Sequence, residues 1–400
     1  MNETETTDDR ALLARWRADT PAAAHRIHLN NAGAALPPRS VLDAEVSYLE
    51  REAEVGAYEL EAAEEATTEA AYGHVARLLG TAPRNVAIVE SATVAFALAL
   101  SAFDFSPGDR LVTTREDYPS NHLMYLALAA RRGLEVVRAE DLAEGGADPE
   151  SVRALAAHPR CRLVAVSWIP TSSGLIQPAE AIGRICEELG VPYLLDACQA
   201  VGELPIDFAA LRCDYLAATA RKFLRGPRGI GFLAVSDRAL ARGDYPLLPD
   251  MRGADWTGPD AFAPVDSARR FETWEFNYAL VHGLGEAARY AVDEAGEAGG
   301  RRAIALAARV RERLAALPGV EIADRGARLG AIATATVAGR EPRDLVLALR
   351  PRGINLHFST RLGHFAPDPR PRPILRLSPH YYNTEDEIDR AIEALGELLR

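Results

Sequence analysis

Lysine is all but absent from this chain: among 45 basic residues only Lys222 is a lysine. Arginine stays protonated and is a poor nucleophile, whereas a desolvated lysine can lose its proton and condense with a carbonyl. A sole amine in an arginine-rich chain points to a position where a Schiff base forms. Cysteine is scarce too. Cys161, Cys186, Cys198 and Cys213 show none of the paired short spacings of a zinc site or redox motif, so no metal is expected. Apolar runs long enough to span a bilayer are missing. Basic charge is in deficit, with a formal net charge of −12, and no cluster of arginines builds the basic face that nucleic acid requires. Residues 1–10 are polar and acidic, the reverse of a signal peptide, so the expected localisation is cytoplasmic.

The hydrophobic share of 48% and charged share of 26% are those of a soluble globular protein, and 400 residues suffice for more than one core. Short β-rich runs alternate with Ala-rich helical stretches: 86–89, 110–114, 134–137, 162–168, 192–195, 215–218 and 231–235 read as strands. Alternation of this kind predicts an α/β fold with a mostly parallel sheet covered by helices. A long Ala/Arg/Glu helix over about 280–316 leads to a second strand cluster near 319–323, 330–338, 354–358 and 373–378, and residues 385–399 close the chain as a helix. The expected organisation is an N-terminal helical segment (1–24) packing with the small domain, a large α/β domain (25–280), and a small α+β domain (281–400).

In such sheets ligands sit beyond the carboxyl ends of the strands. Residues 88–94, IVESATV, put Ser91, Ala92 and Thr93 between a strand and an apolar helix, either as an anion site or as simple helix caps. Residues 192–199, PYLLDACQ, deliver Asp196 at a strand end, as a cap or as partner of a buried cation. Residues 219–231, TARKFLRGPRGIG, place Lys222 between a strand and a Gly-rich turn. One βαβ crossover separates Asp196 from Lys222, which puts both at the same sheet edge.

The ordered set of Ala92-Thr93, Asp196 with Gln199, Thr219 with Lys222 and its Gly-Pro-x-Gly-Ile-Gly turn, and 270–277 RFETWEFN resembles the class V aminotransferase family. These are fold-type I enzymes of pyridoxal 5'-phosphate, among them cysteine desulfurases and isopenicillin N epimerase-like proteins. The resemblance spans about residues 28–382. It implies that Lys222 binds the cofactor covalently, that Asp196 pairs with the ring nitrogen, and that Gln199 meets the ring hydroxyl. Ala92, Thr93, Thr219 and Arg221 would hold the phosphate, Tyr118 would stack on the ring, and Thr171 falls where many members have an Asn. Arg376 resembles the arginine that grips a substrate carboxylate, with Asn31, Arg361 and His364 as further substrate contacts. A symmetric homodimer is implied, acting on a small-molecule amino acid.

Two departures bear on the reaction. Desulfurases carry a loop cysteine where this chain reads RLGHFAPDP over 361–369, and no cysteine follows Cys213. Relatives often have Gly-Thr where this chain has Trp274-Glu275, and Glu275 is unsuited to a partner subunit's phosphate. A desulfurase-like framework without its thiol points to β-elimination from a cysteine S-conjugate, a C–S lyase of small-molecule biosynthesis. Transamination and epimerisation stay open as alternatives, and a non-catalytic relative is the reading outside enzymology.

Overall fold

The computed structural model describes residues 7–361 and 371–400. In chain order the strands are β1 (Ile27–His28), β2 (Val86–Val89), β3 (Arg110–Thr113), β4 (Glu135–Arg138), β5 (Cys161–Ser167), β6 (Tyr193–Asp196), β7 (Tyr215–Thr219) and β8 (Gly231–Val235). There follow β9 (Ala254–Gly258), β10 (Ala261–Pro264), β11 (Val320–Ile322), β12 (Ala333–Val337), β13 (Ile354–Asn355), β14 (His357–Arg361) and β15 (Arg372–Leu377). Seven of them form the central sheet in the order β2-β8-β7-β6-β5-β3-β4. Strand β8 runs antiparallel to β2 and β7; the other pairings are parallel. The protein is thus the expected α/β type with a mostly parallel sheet.

Pleating sends alternate residues to opposite faces, and the two faces bury different sets. Val86, Ile88, Val164, Val166, Leu195 and Leu216 pack in one core cluster, while Ala87, Val89, Leu163, Ala165, Leu194 and Tyr215 pack in another. A strand buried on both faces reads as an unbroken apolar run, which is why 192–195 and 231–235 stand out in sequence. Each fully buried Val, Leu or Ile contributes roughly 1.5–3 kcal/mol relative to exposure. A third core lies under the four-stranded antiparallel sheet β11-β12-β15-β14 and takes in Ile27 and Leu29 from the N-terminal side.

Differences from the sequence expectation have local causes. The helix expected over 280–316 is interrupted: helix Tyr278–Tyr290 passes into a π turn at Ala291–Ala295, and Gly296 takes φ 54 before Gly296–Ala315 resumes. Residues 354–358 divide into β13 and β14, because β13 pairs with β1 while β14 pairs with β15. The hairpin β9–β10 has no counterpart in the sequence reading; its alternate side chains Trp256 and Phe262 are exposed rather than packed into a core. The N-terminal helix Thr7–Ala18 is pinned by Trp16, buried against Tyr381, and by Arg17, which pairs with Glu387 at 2.7 Å. No helix among the described residues is long and apolar enough to cross a membrane.

Candidate active site

The chain crosses over between β3 and β5, so the crevice beyond their carboxyl ends is where a ligand fits. Tyr118 follows β3, Ser167 ends β5, Asp196 ends β6 and Thr219 ends β7. Register aligns these strand ends at one edge, Ser167 beside Asp196 and Asp196 beside Ala217. A cavity opens there. Ala92, Thr93, Tyr118, Thr171, Asp196, Gln199, Thr219, Arg221 and Lys222 all line it. The nine positions read as cofactor-facing are therefore brought together, although they come from five separate stretches of chain.

Two glycines make the approach possible. Gly202 has φ 87, and a Cβ there would fall 2.3 Å from the carbonyl carbon of Phe223, so the Asp196 loop lies directly on the Lys222 loop. A Cβ on Gly231 would fall 2.9 Å from the Ala92 nitrogen, so only glycine lets the start of helix Ala92–Ser101 rest on β8. Ser91 is the cap of that helix, its hydroxyl accepting from the Val94 N–H at 3.2 Å. That leaves the Thr93 side chain and the first-turn N–H groups for an anion.

Lys222 is buried, its amine 5.8 Å from the centre of the Tyr118 ring. Burial pulls its pKa below the ordinary lysine value; Cys198 and Asp196 oppose this, and Arg221 and Arg376 reinforce it. A lysine so placed is readily available as a free amine. Asp196 is held on both oxygens: Oδ1 accepts from the Cys198 N–H at 2.9 Å, and Oδ2 from Asn121 at 3.0 Å and Ser167 at 3.3 Å. Gln199 donates to the Ala32 carbonyl at 3.2 Å and to the Thr171 hydroxyl at 3.3 Å.

Arg376, on β15, is buried and donates Nη1 to both the carbonyl (3.0 Å) and the hydroxyl (2.8 Å) of Thr171, and Nη2 to Asn30 at 3.3 Å. Its pKa is brought down to about 10, chiefly by burial and then by Arg221. The Arg376 Nε and the Gln199 Oε1 are buried without a hydrogen-bond partner. Such orphaned atoms call for a ligand. Two cations, Arg221 and Lys222, line the site with Asp196 as counter-charge, and Arg376 reaches its wall at Thr171; this suits a ligand pair carrying a phosphate and a carboxylate.

Other expected substrate contacts are placed differently. Asn31 is fully buried and turned inward, donating to the carbonyls of Ser378 (2.7 Å) and His28 (3.2 Å) and accepting from the Tyr382 hydroxyl at 2.5 Å. The neighbouring Asn30 reaches Arg376 instead, because the chain enters a turn at Asn30 that carries Asn31 inward. Arg361 ends β14, and His364 lies outside the described residues. Of the motif at 270–277, Arg270 clamps the carbonyls of Val265, Leu240 and Asp244. Glu272 accepts from the Tyr72 hydroxyl and the Ile88 N–H, and burial lifts it to about 7. Both are framework groups.

A buried lysine, an acid at the neighbouring strand end, a helix N-terminus and a buried arginine form a set that fits pyridoxal 5'-phosphate, and the fold is that of the fold-type I enzymes that use it. The family model for class V aminotransferases matches residues 27–391, and the chain belongs to that family. Among curated relatives it is 29% identical over 389 residues to a probable hercynylcysteine sulfoxide lyase of Mycobacterium tuberculosis (strain CDC 1551 / Oshkosh), covering 96% of this chain and 93% of the relative. It is 33% identical over 344 residues to an isopenicillin N epimerase of Amycolatopsis lactamdurans, covering 81% and 83%. The apo structure of a cysteine desulfurase from Thermococcus onnurineus NA1 superposes with a TM-score of 0.85 at 24% identity, over 96% of this chain and 98% of that one.

Proposed function

We propose that this enzyme is a C–S lyase that performs β-elimination on a cysteine S-conjugate, in a tailoring step of small-molecule biosynthesis. The observation that carries this reading is the lack of a competent thiolate. No cysteine follows Cys213 in the sequence, so the desulfurase loop position holds no thiol. Cys198 lines the cavity, but burial, followed by the charge of Asp196, drives its pKa far up and keeps it a thiol. Burial likewise raises Cys161 to about 11, and Cys186 and Cys213 higher still. Sulfur transfer to the enzyme needs a nucleophile this site does not supply. Elimination needs only a leaving group.

In this reading Arg376 grips the substrate carboxylate through its unpartnered Nε edge, with Thr171 and Asn30 fixing the guanidinium plane. Lys222, once free, takes the Cα proton, the lowering of its pKa by burial favouring the free amine that acts as base. Asp196 holds positive charge at the ring nitrogen. The pyridoxal ring, when bound, supplies the electron sink for the pair left at Cα. The Cβ–S bond would then break with its electrons leaving on sulfur, which takes up the proton that Lys222 removed and departs as a thiol, and the three-carbon remainder takes up water to give pyruvate and ammonia. The relative named a probable hercynylcysteine sulfoxide lyase supports this reading, since its name describes a lyase acting on a cysteine-derived sulfoxide.

The test is the purified holoenzyme with a panel of cysteine S-conjugates, assayed for pyruvate. Pyruvate release with stoichiometric thiol is expected. The similarity to an isopenicillin N epimerase favours one alternative, proton return at Cα. Exchange of the Cα hydrogen with solvent, or amino-group exchange between an amino acid and a keto acid, without pyruvate would replace the lyase by an epimerase or aminotransferase. A colourless protein that takes up no cofactor would mark a non-catalytic relative.

A homodimer is part of the same proposal. Leu247, Leu248, Met251 and Trp256 are exposed around the β9–β10 hairpin, and apolar surface of this kind supports burial against a second copy. Light scattering at working concentration is expected to give twice the chain mass.

A further inference from the structure

Behind Asp196 stands a second buried acid that the cofactor reading does not use. Asp117 is buried at the carboxyl end of β3, and its two oxygens are ringed by donors. Oδ1 accepts from the Tyr118 N–H at 2.6 Å, Asn121 Nδ2 at 3.0 Å and the Ser167 hydroxyl at 2.5 Å. Oδ2 accepts from the hydroxyls of Tyr125 (3.0 Å) and Thr113 (3.1 Å). The Asn121 amide and the Ser167 hydroxyl also reach Asp196, at 3.0 and 3.3 Å. The two carboxyl groups therefore meet at the same amide and hydroxyl, the single hydroxyl hydrogen lying on the shorter contact to Asp117 and the Asn121 amide bridging the pair. An amide nitrogen has two hydrogens, so Asn121 serves both acids at once.

We infer that Asp117 is a positioning residue for the ring-facing acid: through Asn121 and Ser167 it fixes the orientation of Asp196, and through the Tyr118 backbone it fixes the ring over Lys222. The inference rests on the cofactor reading above, since the orientation of Asp196 matters only toward a bound ring. Asp117 makes no contact with the cavity and is not a catalytic group. Two carboxylates sharing a dry site do not both carry full charge at low cost. Burial raises Asp117, and Asp196 pushes it the same way while His122, Ser167 and Asn121 oppose, which favours the neutral form of Asp117. Aspartate is then needed at 117 for shape rather than for charge. Asparagine can meet the same partners, its oxygen toward Tyr118 and Ser167 and its amide toward the hydroxyls of Tyr125 and Thr113, which can accept. Alanine cannot, and leaves the Asn121 amide free to turn.

The experiment uses the full-length holoenzyme, with three readouts: the visible circular dichroism of the bound cofactor, the pH midpoint of its absorbance change, and cofactor retention on dilution. Asp117→Asn is expected to match the wild type in all three. Asp117→Ala and Asn121→Leu are expected to shift the midpoint in a common direction, weaken the dichroic band, and lower kcat/KM about tenfold, as befits the loss of one or two buried hydrogen bonds. Asn121→Leu leaves the Asp117–Tyr118 contact in place, so it tests the link should Asp117→Ala fail to fold. The groups facing Lys222, namely Cys198, Asp196, Arg221 and Arg376, stay constant across the series, as do His122 and Tyr125 beside Asp117. Wild-type dichroism and midpoint in both Asp117→Ala and Asn121→Leu would overturn the inference. So would a shift in Asp117→Asn as large as that in Asp117→Ala. A wild type that binds no cofactor would instead defeat the cofactor reading itself, a distinct result.

Discussion

Arg376 and Thr171 are clasped, a single guanidinium nitrogen of the arginine reaching both the carbonyl and the hydroxyl of the threonine. The same hydroxyl accepts from Gln199, so one small side chain ties Arg376 to the loop that carries Asp196 and Gln199. Thr171→Val keeps the shape and removes the hydroxyl. It leaves a buried Arg376 N–H and a Gln199 N–H each short of a partner, at about 1–3 kcal/mol. The expected result is a rise in KM of about tenfold with a smaller change in kcat, because the grip on the substrate is loosened before and during the reaction alike. Steady-state kinetics on the best cysteine conjugate decides it. An unchanged KM would show that Arg376 is held by its other contacts alone.

Replacing Lys222 tests both chemistry and burial. Lys222→Ala is expected to abolish the visible absorbance of the holoenzyme and its turnover, since no other lysine exists to take over. Lys222→Met gives a second outcome in the apo protein. The folded-state pKa of this lysine lies below its unfolded value, chiefly through burial. The unfolded chain then binds the proton more tightly in the window between the two, so wild-type stability is reduced below that window and recovers as pH rises through it. Lys222→Met removes the charge and keeps the volume. Its melting temperature is expected to exceed that of the wild type at neutral pH, with the gap narrowing as pH approaches the ordinary lysine value. A gap that widens with pH would contradict a depressed pKa.

Much of this was legible in the sequence, and the reasons differ between parts. Strands 86–89 and 231–235 were readable to the residue because both their faces are buried, leaving unbroken apolar runs between turn residues. Lys222, Asp196 and Thr219 were readable because strand ends in a parallel sheet project to one edge. Asn30 was missed in favour of Asn31, since two adjacent asparagines look alike until the backbone decides which faces Arg376. Asp117, Asn121 and Ser167 carried little signal either. Their function depends on a through-space ring that no single segment spells out, though Asn121 sits one helical turn beyond Asp117 and that spacing was there to be noticed.

Cys198 separates elimination from sulfur transfer. Its thiol lines the cavity and is held protonated by burial and by Asp196. Cys198→Ala deletes the sulfur but spares the backbone N–H that donates to Asp196. A lyase is expected to keep turnover within about threefold, because the variant removes no more than a small packing contribution. Pyruvate and released thiol are to be measured together in the same reaction. Abolished activity with normal cofactor absorbance would mean that this thiol takes part, and the elimination reading would have to give way to one with a covalent sulfur step.

Glu203 supplies a pH dependence of stability that is independent of the reaction. Its Oε1 accepts from the Ala331 N–H at 2.6 Å, its Oε2 is buried without a partner, and a Cβ on Gly330 would fall 2.1 Å from Oε1. Burial lifts its pKa from 4.5 to about 8. Since the folded value is the higher one, the contribution to stability is fully present below 4.5 and is lost as pH rises through about 8. Glu203→Gln cannot ionise. It keeps an acceptor for Ala331 but places a buried N–H where Oε2 has no partner, which costs about 1–3 kcal/mol at every pH. The wild type is therefore expected to melt higher at acidic pH, and the variant to overtake it on the alkaline side. Melting curves across the range give the crossing point directly. Parallel curves with no crossing would show that Glu203 is already ionised in the folded protein, with a counter-charge drawn into the seam between β12 and the 200–204 loop.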